Sequence, residues 1–125
     1  MEVERMEFAK INSKVYELTR VRCVKDKPLV YSKTYLKITN LPLEPGVYSE
    51  SLYKFLEDEY NVIISRAGDQ LEATLAEGVI AKKLEVAGGF PTFKRTRVAY
   101  DQYDNKVEYS ICYYPGDKYR YSVNL

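Results

Sequence analysis

The sequence predicts an α+β fold: a mainly antiparallel sheet of about six strands with two helices packed on it. Three observations carry this. Alternating segments joined by tight polar turns stand at both ends of the chain, two short helical segments lie between them, and the 125 residues include thirteen tyrosines and no tryptophan. Neighbouring strands joined by short turns pair antiparallel, and tyrosine favours the pleated surface of a sheet. The length suits one domain, which at this size buries roughly two-thirds of its unfolded surface.

Residues 1–14 are charged and weakly patterned, and they read as an N-terminal arm or linker remnant ahead of a domain over 15–125. Val15–Val24 alternates as a strand, with Val15, Glu17, Thr19, Val21 and Cys23 on one face and Tyr16, Leu18, Arg20, Arg22 and Val24 on the other. The polar turn Lys25-Asp26-Lys27-Pro28 leads into a second strand, Leu29–Ile38, which makes a hairpin. Asn40, Pro42, Pro45 and Gly46 mark Thr39–Gly46 as a loop. Ser49–Tyr60 reads as a helix capped by Ser49 or Ser51, with the apolar stripe Leu52, Phe55 and Leu56. The β-branched run Val62-Ile63-Ile64 opens a long strand over Asn61–Leu75. Glu77–Leu84 is a short helix ended by Gly88-Gly89. Phe90–Tyr100, Val107–Tyr114 and Tyr119–Val123 complete the strands, separated by turns at Asp104-Asn105-Lys106 and Pro115-Gly116-Asp117.

Composition narrows the chemistry. Nineteen basic residues against eighteen acidic leave a net charge of +1, without the basic excess of a domain that grips nucleic acid unaided. Histidine is absent, which removes Ser-His and Cys-His nucleophile pairs and the commonest metal ligand. Cys23 and Cys112 lack metal-ligand spacing and sit in strands, where buried thiols in a reducing cytoplasm are expected. No apolar run is long enough to cross a bilayer, and no signal peptide is evident. No cofactor and no metal are expected.

Three groups of residues are candidates for binding. Arg20 and Arg22 project from one strand face among apolar neighbours, and two planar forks side by side suit a phosphate or carboxylate. The alternative is pairing with acids across the sheet or a solvated face. Ser51, with Tyr53 nearby, opens a helix whose free N–H groups and dipole attract anions, or it is an ordinary cap. Glu108, Ser110, Cys112 and Tyr114 share a strand face that suits a polyol, unless Glu108 pairs internally with Arg95 or Arg97.

Several segments together carry a family resemblance. Val15-Tyr16-Glu17-Leu18-Thr19-Arg20-Val21-Arg22 with Asp26-Lys27-Pro28-Leu29-Val30 resembles the opening hairpin of the UTRA domain, the effector-binding module of GntR-type regulators of the HutC branch. Ser51-Leu52-Tyr53-Lys54-Phe55-Leu56, Ile64-Ser65-Arg66-Ala67, Val107-Glu108-Tyr109 and Tyr114-Pro115-Gly116-Asp117-Lys118-Tyr119-Arg120-Tyr121 resemble its helix, central strand and closing hairpin, in the right order over about residues 15–125. The resemblance implies a chorismate-lyase-like fold, a homodimer, and a pocket for a small anionic metabolite, often a phosphorylated sugar. It places anion-binding positions on Arg20, Arg22, Ser51 and Tyr53 and polar sugar-side positions on Glu108 and Tyr114. One pocket position departs from the pattern: Ser32 stands where many relatives carry glutamate, which puts an amino-sugar ligand in doubt. The resemblance also implies a repressor whose winged-helix domain, absent from this chain, contacts operator DNA. The competing readings are a dimerisation module that has lost its ligand and a chorismate-lyase-like enzyme. The retained Arg20, Arg22, Ser51, Tyr53, Glu108 and Tyr114 speak against the first, and the closing hairpin of the regulator module against the second.

Overall fold

The computed structural model describes residues 2–12, 15–37 and 52–125. Along the chain run β1 (Glu2–Asn12), β2 (Val15–Val24), β3 (Lys27–Leu36), α1 (Leu52–Tyr60), β4 (Ile64–Ala76), α2 (Gly78–Leu84), β5 (Phe90–Asp101) and β6 (Lys106–Pro115). The strands form one six-stranded antiparallel sheet in the order β1-β2-β3-β6-β5-β4. β6 therefore sits inside the sheet, between β3 and β5.

The opening hairpin turns on Lys25 and Asp26, both left-handed at φ 50° and 63°. Two successive positive φ angles make the turn whose twist matches that of its flanking strands. The α1 helix ends at Asn61, also left-handed at φ 54°. There Asn61 N–H donates to Glu57 O, and Val62 N–H to Leu56 O. Asparagine tolerates this conformation, so Asn61-Val62-Ile63 closes the helix and the strand begins only at Ile64. Gly116 is needed for space: a Cβ there would stand 2.7 Å from Pro91 O, the acceptor of the Gly116 N–H.

Alternation along β2 separates two faces. On one, Tyr16, Leu18 and Leu36 are buried with Leu52 and Leu56 of α1. On the other, Val21, Cys23 and Tyr31 are buried with Leu84 of α2. The two cysteines are buried free thiols, as their strand placement predicts.

Two expectations need correction. The segment read as an N-terminal arm is strand β1, paired along the outer edge of β2 from Glu2 to Asn12. A register shift between Met6 and Phe8 breaks the parity of its apolar residues, which hides the strand period. Tyr119–Val123, in contrast, is not a strand. It leaves the end of β6, whose two flanks are already taken by β3 and β5, and Tyr119 stacks on Tyr114 instead. The loop Thr39–Gly46, together with Ile38, Ser49 and Ser51, lies outside the described residues.

Candidate functional site

The register aligns residues from distant parts of the chain into rows across the α1 face. One row runs Arg20 (β2), Ser32 (β3), Cys112 (β6), Arg95 (β5), each directly opposite the next. The adjacent row runs Leu18, Thr34, Ser110, Arg97 and Asp69. A third runs Tyr16, Leu36, Glu108 and Ala99. The apolar end of these rows lies under α1, and the polar part extends beyond it.

In the first row two small side chains stand between two arginines. The space they leave is a recess of about 70 Å³ lined by Arg20, Arg22, Val30, Ser32, Arg95, Cys112 and Tyr114. Arg20 Nη2 donates to Thr34 Oγ1 at 3.1 Å, and Arg95 Nη2 to Cys112 Sγ at 3.4 Å. The Arg95 guanidinium also lies 5.7 Å from the centre of the Tyr114 ring. Tyr114 stacks on Tyr119 with ring centres 4.1 Å apart, and burial pushes its phenol above the usual range. Tyr119 also lines a wider groove of about 670 Å³, together with Leu71, Phe93 and the rest of the segment Gly116–Tyr121. An arginine-lined recess beside a roomier groove can hold an anionic head group with a larger body attached.

The second and third rows carry a polar network. Ser110 Oγ hydrogen-bonds both Thr34 Oγ1, at 2.9 Å, and the Glu108 carboxylate. The other Glu108 oxygen accepts from the Tyr53 hydroxyl of α1. Arg97 Nη1 donates to the same hydroxyl at 3.3 Å, while its Nε and Nη2 grip Asp69 at 2.7 and 2.8 Å. Burial first, and then the Glu108 charge, push the Tyr53 phenol up to about 12. The two-point grip of Arg97 holds the Asp69 carboxyl below the usual carboxylate range, and the same bonds raise Arg97. Glu108, Ser110 and Thr34 are all buried, so this network replaces the water they would otherwise need.

Of the residues proposed from sequence, the structure brings Arg20, Arg22, Ser32 and Tyr114 together around the recess and joins Tyr53 to Glu108 beside it. Ser51 lies outside the described residues, one position before α1. The internal ion pair foreseen for Glu108 is not the one formed by Arg97, which takes Asp69. Arg22 stands opposite Glu4 in the β1–β2 register, whereas Arg20 is flanked by Met6 and Ser32. Sequence reading left out Arg95 as a member of the recess, and Thr34 and Arg97 as members of the network. Spacing by two residues sets Arg95 and Arg97 on one strand face, but only the register shows that this face is the one carrying Arg20.

Comparison with known proteins places the fold in a lineage. The family model of the UTRA domain matches residues 3–120. The chain belongs to the UTRA domain family. The repressor NagR of Bacillus subtilis is 27% identical over 110 residues, covering 87% of this chain and 45% of NagR. A probable fructoselysine utilization operon repressor of Escherichia coli is 26% identical over 101 residues, covering 79% of this chain and 42% of the repressor. This UTRA domain thus spans less than half the length of these curated relatives. Its fold matches that of the ligand-binding domain of a GntR-family regulator from Bordetella bronchiseptica, with a TM-score of 0.87 and 24% identity, over 100% of this chain and 89% of that one. It also matches the regulator YydK of Bacillus subtilis, with a TM-score of 0.89 and 15% identity, over 99% of this chain and 63% of YydK. Among the described residues no helix is long and apolar enough to cross a membrane, and no cluster of side chains is suited to hold a metal.

Proposed function

We propose that this UTRA domain senses a small anionic metabolite, a phosphorylated sugar by preference, and that in a longer cytoplasmic GntR-type repressor its occupancy controls DNA binding by a separate winged-helix domain. The observation that carries the reading is the recess between Arg20, Arg22 and Tyr114. Two cationic forks from neighbouring positions of one strand face line that cavity. The Tyr53–Glu108–Ser110 network next to it offers hydroxyl and carboxylate groups for a polyol. Ser51, at the entry to α1, would add an anion-facing helix end. One relative is named for fructoselysine utilization, which fits a sugar-derived effector. A regulatory role rather than an enzymatic one is supported by relatives that are named as repressors.

Control of DNA binding requires that the metabolite bind two arrangements of the protein unequally. A homodimer provides those arrangements. The seven-residue α2 covers only part of its sheet face and leaves Tyr109 and Val79 exposed beside Tyr35 and Ile111, a surface suited to burial against a second copy. Sedimentation is expected to show a dimer at micromolar concentration, and a clean monomer would remove this part of the proposal.

The test of sensing is a thermal-shift screen of hexose phosphates against the matching free sugars, followed by calorimetry. A ligand at a hundred times its dissociation constant stabilises the folded state by about 2.7 kcal/mol. Phosphorylated compounds are expected to raise the melting temperature where the free sugars do not. Equal shifts from both sets, or none, would refute the anion-sensing reading.

A further inference from the structure

We propose that Arg95 of β5 is a third arm of the anion site beside Arg20 and Arg22, and that the three together select a head group with two negative charges, a phosphate monoester or a phosphonate, over a singly charged one. This rests on the reading of the recess as the effector site. Arg20 and Arg95 bracket the row Arg20–Ser32–Cys112–Arg95, so their backbones lie three strand spacings apart, about 14 Å. Ser32 and Cys112 between them are too short to fill that span, and long guanidinium arms from both sides close over it.

The state of Arg95 is that of a ligand-binding group. Its Nε is buried and has no hydrogen-bond acceptor among the described residues, and its Nη2 donates to a thiol, a weak acceptor. A buried donor left in this condition costs free energy that a bound oxyanion would recover. Asp69, an acid close enough for its carboxyl to feel the Arg95 charge, has both oxygens engaged by Arg97. Among the residues whose side chains are described, no carboxylate lines the recess. Three guanidinium groups around one small cavity repel one another, and a single negative charge leaves much of that repulsion in place. A dianion removes more of it and offers three oxygens, enough for one fork each.

The experiment compares methyl phosphate, doubly charged at about pH 8 because such monoesters lose their second proton near pH 6, with dimethyl phosphate, which carries one charge. Both are titrated calorimetrically into the wild-type domain and into Arg95→Met, Arg95→Lys and Arg20→Ala. The wild type is expected to prefer methyl phosphate by at least about tenfold. Arg95→Met should weaken methyl phosphate by about 10- to 150-fold, as for loss of one charged hydrogen bond, and reduce the preference to a few-fold. Arg95→Lys should keep part of both. A purely structural arginine would instead weaken both esters alike and leave the preference intact, which overturns the proposal. If Arg20→Ala loses binding while Arg95→Met binds as the wild type does, the recess reading stands and the third arm falls. If neither ester binds the wild type, both fall. Should Arg95→Met fail to fold, the wild type decides: methyl phosphate affinity that does not rise with pH through about 6 overturns the selection of a dianion.

Discussion

The two faces of this sheet are made by the same strands and have opposite characters. On the α2 face, Val21, Cys23, Tyr31 and Leu84 form a buried cluster with no charged member. On the α1 face, the apolar cluster of Tyr16, Leu18, Leu36, Leu52 and Leu56 covers only one end. Beyond it the strands bury Thr34, Glu108 and Ser110 and place Arg20, Arg95 and Arg97 around them. Burying a polar group is costly unless each atom finds a partner, and aliphatic residues at these positions would make a simpler core. The contrast sets an apolar face against one that buries polar groups at a cost, and it is on the second that the proposed ligand site lies.

The largest expected effect tests the apolar face. Leu84 is 1% exposed and packs into the α2-side cluster. Leu84→Ala should lower unfolding free energy by about 2–5 kcal/mol, read from denaturant melts, with ligand affinity unchanged in the protein that remains folded. An equal loss of affinity would show that the two faces are not separable. The opposite pattern is expected on the other face. Arg20→Ala or Arg22→Ala should weaken a validated anionic ligand by about 10- to 150-fold, the worth of one charge-assisted hydrogen bond, with lysine restoring only part. A melting temperature that falls while affinity holds would return Arg20 or Arg22 to the scaffold, an outcome the position of Glu4 opposite Arg22 makes worth testing separately.

How much of this was legible in the sequence follows the same division. Alternation in β2 and β6 exposes both faces, so Arg20 with Arg22, and Glu108 with Tyr114, could be grouped by strand parity. Parity does not say which strands are neighbours. The pairing of β3 with β6, far apart in the sequence, is what sets Ser32 beside Cys112 and Arg95 across from Arg20. That is a property of topology that no local spacing encodes. The edge strand β1 was missed for a different reason: it is held by backbone pairing with β2, and a register shift scrambles its apolar period. Tyr119–Val123 misled in the other direction. It alternates as a strand should, yet β6 offers it no free edge, and its aromatic residue serves to pack on Tyr114 and Phe93.

A smaller effect sharpens the view of the α1 face as a prearranged network. Tyr53 is lifted to about 12 by burial and by the neighbouring Glu108 charge. A phenol whose folded pKa lies above its unfolded value of about 10 favours the protonated native state. Its contribution is complete below pH 10 and is lost as pH rises toward 12. Glu108→Gln should bring the Tyr53 titration down toward its ordinary value, read as phenolate absorbance, and narrow that window. An unmoved titration would mean that Glu108 does not polarise the helix hydroxyl.

The smallest effect belongs to a carboxylate that the turn alone satisfies, which makes it the control for Glu108. Asp101, at the end of β5, accepts the backbone N–H groups of Tyr103 and Asn105 at 2.9 and 2.8 Å. Burial works against its charge, but the donors of Asn105 and Tyr103 outweigh it and hold the carboxyl below the usual range. A depressed folded pKa gives stability that is present above the unfolded value of about 4 and is lost as pH falls through the folded one. Asp101→Asn should therefore flatten the acid limb of the stability curve and lower the melting temperature slightly at neutral pH, because an amide accepts less strongly than a carboxylate. Ligand affinity should not move, since the partners of the Asp101 carboxylate among the described residues, Tyr103 and Asn105, lie within its own turn. If this substitution weakened the ligand as much as Arg20→Ala is expected to, the polar rows of the α1 face would lose their special standing as the place where the ligand is held.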